Sequence, residues 1–310
     1  MLRLIVVGSA AGGGFPQWNS NDPASRRARR GDPAAPPRTQ SSIAVSADDS
    51  HWVLFNASPD LRQQINSTTA LYPRNGKRDS PICSVVLTNG DVDHVAGLLT
   101  LREAHPFSIY ATGRVLSVLQ ANSIFNVLNP ELVERRTLLL EKPQEIETRD
   151  GRPTGLAVEA FAVPGKVALY LENAAAGPNF GTQAEDTIGL KIAARDGTSH
   201  FYYVPGCASM TADLAIRLKS APLVLFDGTL WRDDEMIVAG IGPKTGKRMG
   251  HISVSGPEGS MAAFEPLAVK RKVFVHMNNT NPILLADTPE RAAIAKAGWE
   301  AAHDGMEIRV

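Results

Sequence analysis

Three side chains that can bind a cation stand close together after a predicted buried strand. The strand covers Ile82–Leu87, and residues 88–94 then read Thr-Asn-Gly-Asp-Val-Asp-His. Turns at the carboxyl ends of strands present side chains to the mouth of an α/β fold, so Asp91, Asp93 and His94 could converge on one ion. Asp91 or Asp93 could instead cap the following helix. Two aspartates and a histidine at one strand end favour a metal site.

The elements that position this turn are predicted from apolar runs bounded by turn residues. Both halves of the chain contain β-rich runs followed by helices, which predicts two β-sheets packed face to face with helices outside. The predicted strands are Leu2–Val7, Ser41–Ser46, Trp52–Phe55, Ile82–Leu87, Phe107–Ala111, Leu156–Val163, Ala168–Leu171, Ile188–Ala193, Phe201–Val204, Leu223–Phe226 and Val273–His276. Helices are predicted from Ser58, over Val95–Leu101, Gly113–Ala121, Thr211–Leu218 and Gly259–Phe264, and from Pro289.

The composition is that of a globular protein and excludes several classes of partner. Of 310 residues, 43% are hydrophobic, enough to bury a large core. Lys+Arg and Asp+Glu both number 32, which gives no global charge for binding nucleic acid or an anionic membrane. The short apolar run of residues 1–8 is not typical of a signal peptide, and no apolar stretch could span a bilayer. We expect a cytoplasmic protein. Its two cysteines, Cys83 and Cys207, provide no cysteine-rich zinc site.

The Asp-rich turn resembles the signature of the metallo-β-lactamase superfamily, His-x-His-x-Asp-His after a strand. Asp93 and His94 match the final pair of that signature, whereas Asn89 and Asp91 stand at its first two histidines. Later segments also match, namely Tyr203-Val204-Pro205-Gly206-Cys207, Phe226-Asp227-Gly228-Thr229, Gly250-His251-Ile252-Ser253 and Val275-His276-Met277-Asn278. The resemblance implies an αββα sandwich of two mixed sheets, which we take as a single domain over residues 1–310.

The chain departs from the superfamily pattern at the first metal position. Asn89 and Asp91 leave this position without its imidazoles. Cys207 stands at the place of a bridging carboxylate, and Lys166 falls where a further histidine is expected. Whether Cys207 contacts a metal, and what Lys166 does, are left open by the sequence.

Other segments are similar to the coenzyme PQQ synthesis protein B family. They are Gly8-Ser9-Ala10-Ala11-Gly12-Gly13-Gly14-Phe15-Pro16-Gln17-Trp18-Asn19, Arg38-Thr39-Gln40-Ser41-Ser42-Ile43-Ala44 and Asn56-Ala57-Ser58-Pro59-Asp60. Many family members carry cysteines of a structural zinc knot after the Trp-Asn pair, where this chain has Asn19-Ser20-Asn21-Asp22. That zinc is therefore expected to be absent.

The resemblance implies a site in which Asp93, His94 and His276 hold the metal. One carboxylate with two imidazoles suits non-haem Fe(II) with open positions, whereas a dizinc hydrolase needs more imidazole. The family implies hydroxylation of the tyrosine-derived ring in the cross-linked Glu-Tyr precursor of PQQ, with O2 as co-substrate. Zinc could be the metal retained on purification. Asp91, Asp227 and His251 are assigned as outer ligands or proton carriers.

Each assignment has a structural alternative. His276 ends an apolar predicted strand and could be a buried core histidine, His251 could be a loop histidine without a role, and Cys207 could be a small core residue. The loop that follows Gly8 also invites a dinucleotide-binding interpretation. That fingerprint requires a helix immediately after the glycines, and Pro16 and Pro23 make such a helix improbable.

The segment from Gly12 to Arg38 is predicted to contain no regular element and is long enough to be functional or disordered. Its basic cluster, within Arg26–Arg30, could be simply solvated. We also consider that this cluster or Arg38 recruits a substrate bearing carboxylates. Other PQQ-pathway proteins are possible partners, and the oligomeric state is open.

Two functions compete with the hydroxylase. The first is a metal-dependent hydrolase, which predicts two zinc positions and a water nucleophile. The second is a non-catalytic carrier that binds PQQ or its precursor and assists its transport to the periplasm, which predicts binding without turnover.

Overall fold

Two seven-stranded β-sheets form the centre of the computed structural model, which describes residues 1–177 and 179–310. The first sheet contains β1 (Arg3–Gly8), β2 (Ser42–Ser46), β3 (Trp52–Phe55), β4 (Ile82–Val86), β5 (Phe107–Ala111), β6 (Val133–Thr137) and β14 (Met306–Arg309). The second contains β7 (Pro143–Glu147), β8 (Pro153–Ala162), β9 (Ile188–Ala194), β10 (His200–Val204), β11 (Val224–Asp227), β12 (Lys272–Val275) and β13 (Trp299–Ala301). The strand orders are β14-β1-β2-β3-β4-β5-β6 and β13-β12-β11-β10-β9-β8-β7.

Each sheet is antiparallel in one half and parallel in the other. In the first sheet β3, β4, β5 and β6 run parallel to one another. In the second sheet the parallel strands are β10, β11, β12 and β13. The predicted sandwich of two mixed sheets is therefore confirmed. Asp93 and His276 lie in the turns that follow the carboxyl ends of β4 and β12, and Asp227 is the last residue of β11.

Alternating side chains explain why the strands are apolar on both faces. In β1, Leu4 points between the sheets and Ile5 points outward beneath helices. In β11, Leu225 lies between the sheets and Phe226 packs in the outer layer. Successive strand residues point to opposite faces, so three apolar layers form, one between the sheets and one beneath each group of helices.

The outer layers consist of short helices. They are α1 (Pro23–Arg29), α2 (Leu61–Ser67), α3 (Val92–Val95), α4 (Gly113–Ala121), α5 (Ala212–Leu218), α6 (Glu235–Val238), α7 (Gly246–Met249), α8 (Ser260–Phe264) and α9 (Pro289–Lys296). Short 3₁₀ helices cover Thr69–Leu71, Ala96–Leu101, Ser123–Val127, Leu169–Leu171, Ala174–Ala176, Glu265–Leu267 and Pro282–Leu284. Threonine hydroxyls cap several of the helices, as Thr112 caps α4 by accepting a hydrogen bond from the Val115 N–H. No helix in the described ranges is both long and apolar enough to cross a bilayer.

Two sequence predictions were wrong in the irregular segments. The segment from Gly12 to Arg38 contains α1, which Asp22 caps by accepting a 2.9 Å hydrogen bond from the Ser25 N–H. Proline at the first helical position and an aspartate cap are standard helix-start signals that the high Gly, Pro and Arg content obscured. The predicted strand Ala168–Leu171 is instead a partly exposed 3₁₀ turn.

Candidate metal centre

Two acid–histidine clusters share one residue at the carboxyl ends of the parallel strands. We call Asp93, His94 and His276 the first cluster, and Asp227, His251 and His276 the second. Within each cluster one ligand atom per residue lies within 4.8 Å of the others. The fold therefore brings together five of the six predicted site residues, which come from four separate turns.

The first cluster depends on a tight turn after β4. Asp93 and His94 lie in α3, a single turn that packs against the loop following β3. The Ala57 N–H donates to the His94 carbonyl at 2.7 Å, and the Gly97 N–H donates to the Ala57 carbonyl at 2.8 Å. A Cβ at Gly97 would come within 2.2 Å of the Ser58 carbonyl oxygen, so only glycine allows this approach. Neither aspartate caps α3, because the Asp91 side chain makes no cap hydrogen bond and Asp93 lies inside the helix.

Asn89 sets which nitrogen of His94 faces the site. The Asp91 N–H donates to Asn89 Oδ1 at 3.0 Å, which identifies this atom as an acceptor. His94 Nδ1 lies 2.7 Å from the same oxygen and must therefore carry the proton. The Nε2 lone pair of His94 is thus free to bind a cation. Orientation of a metal-binding histidine through its second nitrogen is the usual arrangement in proteins.

His276 is oriented in a similar way by Thr229. His276 Nδ1 lies 2.9 Å from Thr229 Oγ1, and this hydroxyl lies 2.6 Å from Asp227 Oδ1, to which it donates. The hydroxyl therefore accepts from His276 Nδ1, and Nε2 points to Asp93 Oδ2 at 3.1 Å. His276 also has a φ of +56°, an unfavourable backbone conformation for a residue with a Cβ. Strain of this kind is common at functional sites.

Asp227 in the second cluster has its hydrogen-bonding capacity filled by protein donors. Oδ1 accepts from the N–H and the hydroxyl of Thr229, at 2.9 and 2.6 Å. Oδ2 accepts from the Cys207 N–H at 2.8 Å and from His251 Nδ1 at 2.6 Å. Because four donors surround its two oxygens, Asp227 orients His251 and has no free lone pair directed at a metal.

Burial and the surrounding charges shift the pKa values of the three residues in the first cluster in different directions. Burial lowers the pKa of His94 to about 4, so this imidazole is neutral near pH 7. Burial disfavours a charge on Asp93, but the neighbouring His94 and His276 outweigh it and hold the pKa of Asp93 well below its usual range. Burial likewise opposes a cation on His276, yet its hydrogen bond to Asp93 and the nearby carboxylates raise the pKa of His276.

These residues fit a divalent metal. His94 Nε2 is buried and has no hydrogen-bond partner in the described residues, which is a costly state for a polar atom unless it is a ligand. It lies 3.9 Å from Asp93 Oδ2, and this oxygen lies 3.1 Å from His276 Nε2. One carboxylate and two imidazoles form a donor set that suits zinc or non-haem iron and leaves positions open on the metal.

The remaining predicted residues lie around a cleft of about 350 Å³ above the first cluster. Asp91 lines it, and burial together with the charge of Asp93 raises the pKa of Asp91. His251 lines it as well, with its ring stacked on that of His276 at a centroid distance of 5.2 Å. Lys166 is a further lining residue. Cys207 belongs to neither cluster, and its thiol donates to the Ser209 carbonyl at 3.2 Å.

The glycine loop after β1 also reaches the cleft. Gly12 lines it, and a Cβ at Gly12 would lie 3.5 Å from Asp93 Oδ2. The loop is tied down on the other side, since the Ala11 N–H donates to the Met277 carbonyl at 2.8 Å. Helix α1 begins only at Pro23. The loop therefore approaches the candidate site with its backbone and lacks the helix that dinucleotide binding requires.

Three arginines of the N-terminal segment, Arg27, Arg29 and Arg38, have structural partners. Arg38 is buried and donates to the Ala302 carbonyl at 2.7 Å, so the idea that it recruits substrate is wrong. Arg27 pairs with Asp32 and Asp287 at 2.6 and 2.7 Å. Arg29 donates to the carbonyls of residues 17 and 20. In the described part of the chain, none of Arg26–Arg30 lines the cleft.

Comparison with known proteins places the chain in a family. Residues 51–277 match the model of a β-lactamase superfamily domain. The chain is 57% identical to coenzyme PQQ synthesis protein B of Gluconacetobacter diazotrophicus and 53% identical to that of Xanthomonas oryzae pv. oryzae, over 99% of each chain. This chain belongs to the coenzyme PQQ synthesis protein B family. The expected resemblance is therefore confirmed over the full length.

A solved structure of the family has the same fold. The crystal structure of Zn²⁺-bound PqqB from Methylobacterium extorquens matches with a TM-score of 0.94 and 49% sequence identity, covering 99% of this chain and 100% of that one. Its zinc is a property of that protein.

Proposed function

We propose that this chain is a metal-dependent enzyme of PQQ biosynthesis that uses Fe(II) and O2 to hydroxylate the tyrosine-derived ring of the cross-linked Glu-Tyr precursor. The names of its relatives support the pathway. The observation that carries the reaction class is the composition of the first cluster, because one carboxylate and two imidazoles are typical of non-haem iron oxygenases.

Within this proposal Asp93, His94 and His276 would hold the metal, and Fe(II) bound there would supply the redox chemistry that activates O2. Hydroxylation places one oxygen atom of O2 in a ring C–H bond and releases the other as water. The two protons and two electrons this requires come from solvent and from an external reductant.

His251 is the proposed proton carrier. Its Nδ1 is engaged by Asp227 at 2.6 Å, which leaves Nε2 as the nitrogen that can exchange a proton in the cleft. A carboxylate that fixes an imidazole in this way is a common device for acid–base catalysis. Asp91 lines the same cleft and is the second candidate for an outer ligand or proton carrier.

The scarcity of free ligands in the second cluster argues against a dizinc hydrolase. A second ion would have to displace protein donors from Asp227. Cys207 offers no substitute, because it belongs to neither cluster of candidate ligands and its thiol donates to the Ser209 carbonyl. The single open donor set therefore favours a one-metal enzyme. Its cytoplasmic location and its interactions with other pathway proteins remain predictions.

The test is a single-turnover reaction. The purified protein is loaded anaerobically with Fe(II), mixed with the cross-linked Glu-Tyr precursor and a reductant, and exposed to ¹⁸O2, and the product is followed by mass spectrometry. Incorporation of ¹⁸O into the ring is expected, and its loss is expected in Asp93→Ala. Hydrolysis supported by zinc, or binding without any turnover, would instead support the hydrolase or the carrier.

A further inference from the structure

Two lysines from separate loops line the cleft above the first cluster. Lys166 follows β8, and Lys244 precedes α7. The aspartates in the cleft lining are Asp91 and Asp93, so the acidic and basic side chains of the lining balance. A divalent ion in the first cluster would then give the cleft a net positive charge. Such a cleft attracts anionic ligands.

Lys166 is held in place by an ion-pair network. Its Nζ lies 3.3 Å from Glu172 Oε1. Arg248 engages the same carboxylate through both terminal nitrogens, at 3.0 and 2.6 Å, while its guanidinium lies 3.8 Å from the Phe180 ring centroid. The stem of Lys166 packs against Gly250, where a Cβ would approach Lys166 Cγ to 3.0 Å. The network orders a lysine that would otherwise sample many rotamers.

The Glu172 carboxylate cannot accept hydrogen bonds from all the donors of both Lys166 and Arg248. Glu172 accepts two charge-assisted hydrogen bonds from Arg248 and only one longer contact from Lys166. An ammonium group has three donors, so Lys166 retains donors for a ligand in the cleft. Preorganised cations with free donors are typical of carboxylate-binding sites.

Lys244 provides a second cation without such restraint. Across the described residues, its ammonium group forms no ion pair within 4.0 Å, although it is partly buried at the cleft. Lys247, three residues later, differs in being strongly exposed and paired with Glu258 at 2.9 Å. Leu169 and Met236 contribute apolar side chains to the cleft lining.

We propose that Lys166 and Lys244 bind two carboxylates of the substrate, with its aromatic ring lying between them and the first cluster. The ligand class is an aromatic polycarboxylate. Leu169 and Met236 provide apolar surface for the ring. Both lysines act in binding and touch no reacting atom. The inference deepens the proposed function and rests on it for the placement of the substrate at this cleft.

The test measures binding and not turnover. The probes are PQQ, which carries several carboxylates on an aromatic ring system, and its trimethyl ester, which lacks those charges. Isothermal titration calorimetry is run on the full-length zinc-loaded protein, on the double variant Lys166→Met/Lys244→Met and on the matched control Lys247→Met. Methionine keeps the apolar stem of lysine, and thermal unfolding checks that each variant is folded.

The expected loss is about tenfold in affinity for PQQ per lysine, equivalent to about 1.4 kcal/mol each. The affinity of the wild type should also fall with added salt. The ester should bind the wild type and the double variant equally, and Lys247→Met should match the wild type. The inference is overturned if the wild type does not bind PQQ, or if a folded double variant binds PQQ as the wild type does.

The two proposals fail separately. Lysine-dependent binding of PQQ without ¹⁸O incorporation into the Glu-Tyr precursor contradicts the proposed hydroxylase and leaves the carboxylate site standing. Incorporation of ¹⁸O together with lysine-independent binding contradicts the carboxylate site alone.

Discussion

The two clusters that share His276 have nearly the same composition and opposite hydrogen bonding. In the first, the outward nitrogens of His94 and His276 are bound to Asn89 and Thr229, which leaves both Nε2 atoms directed into the cluster. In the second, Asp227 is filled by four protein donors. Residue types alone therefore do not define a metal site. A metal site also requires that the surrounding residues leave lone pairs of its ligand atoms free to bind the ion.

The largest effect should come from removing the carboxylate of the first cluster. In Asp93→Ala the site loses one of three ligands, so metal affinity should fall by more than the roughly 10–100-fold that follows loss of an outer-shell partner. Metal content by mass spectrometry should drop to background and ¹⁸O incorporation should stop. The control is Asp234→Ala, an exposed aspartate paired with Arg232, which should keep its metal.

A smaller and different effect is expected at His251. Because its imidazole is oriented as a proton carrier, His251→Gln should lower turnover by about 10²–10⁴-fold with little change in metal content. His200→Gln is the matched control, because His200 is the first residue of β10 and does not line the cleft. Loss of the metal in His251→Gln would show that the second cluster supplies a ligand.

Asp227→Asn tests whether the Asp227 carboxylate, which accepts four protein hydrogen bonds, also binds the metal. The amide nitrogen would face backbone N–H donors, which should cost about 1–3 kcal/mol of unfolding free energy. The His276 contact through Thr229 would loosen, so metal affinity should fall about 10–100-fold without being abolished. Denaturant unfolding and a metal titration measure the two changes. A metal loss as complete as in Asp93→Ala would place Asp227 among the ligands.

The smallest effect is expected at Cys207. Burial raises the pKa of this thiol from 9.0 to about 12, so it should resist alkylation in the folded protein at pH 8. The raised folded-state pKa stabilises the fold below pH 9.0, and this contribution is lost as the pH rises toward 12. Cys207→Ala should keep a full complement of metal. Metal loss would show that the sulfur binds it.

The strand-and-turn frame of the site could be predicted from sequence. The apolar run before Thr88 and the Asp93-His94 pair are local features. Strand and turn signals place the pair in the turn that follows β4. The convergence of His276 with them came from the family resemblance, since residues 93 and 276 are separated by most of the chain.

The hydrogen bonds that separate the two clusters could not be predicted. Asn89 was interpreted as a lost histidine, yet it orients His94, and Thr229 was only part of a matching motif. Their roles depend on hydrogen bonds of 2.7 Å between Asn89 and His94 and 2.9 Å between Thr229 and His276, and residue types alone do not reveal such contacts. The prediction that Arg38 recruits substrate was wrong for the same reason. The burial of Arg38 and its hydrogen bond to the Ala302 carbonyl depend on the distant C-terminal strands.

The most direct test of the single-metal account is anomalous X-ray diffraction from crystals of the protein loaded with excess Fe(II) without oxygen. A single-metal site should give one strong iron peak per chain, bonded to Asp93, His94 Nε2 and His276 Nε2, with Asp227 keeping its four protein donors. Two peaks of similar occupancy, or one peak bonded to Asp227 and His251, would rule out a single metal in the first cluster.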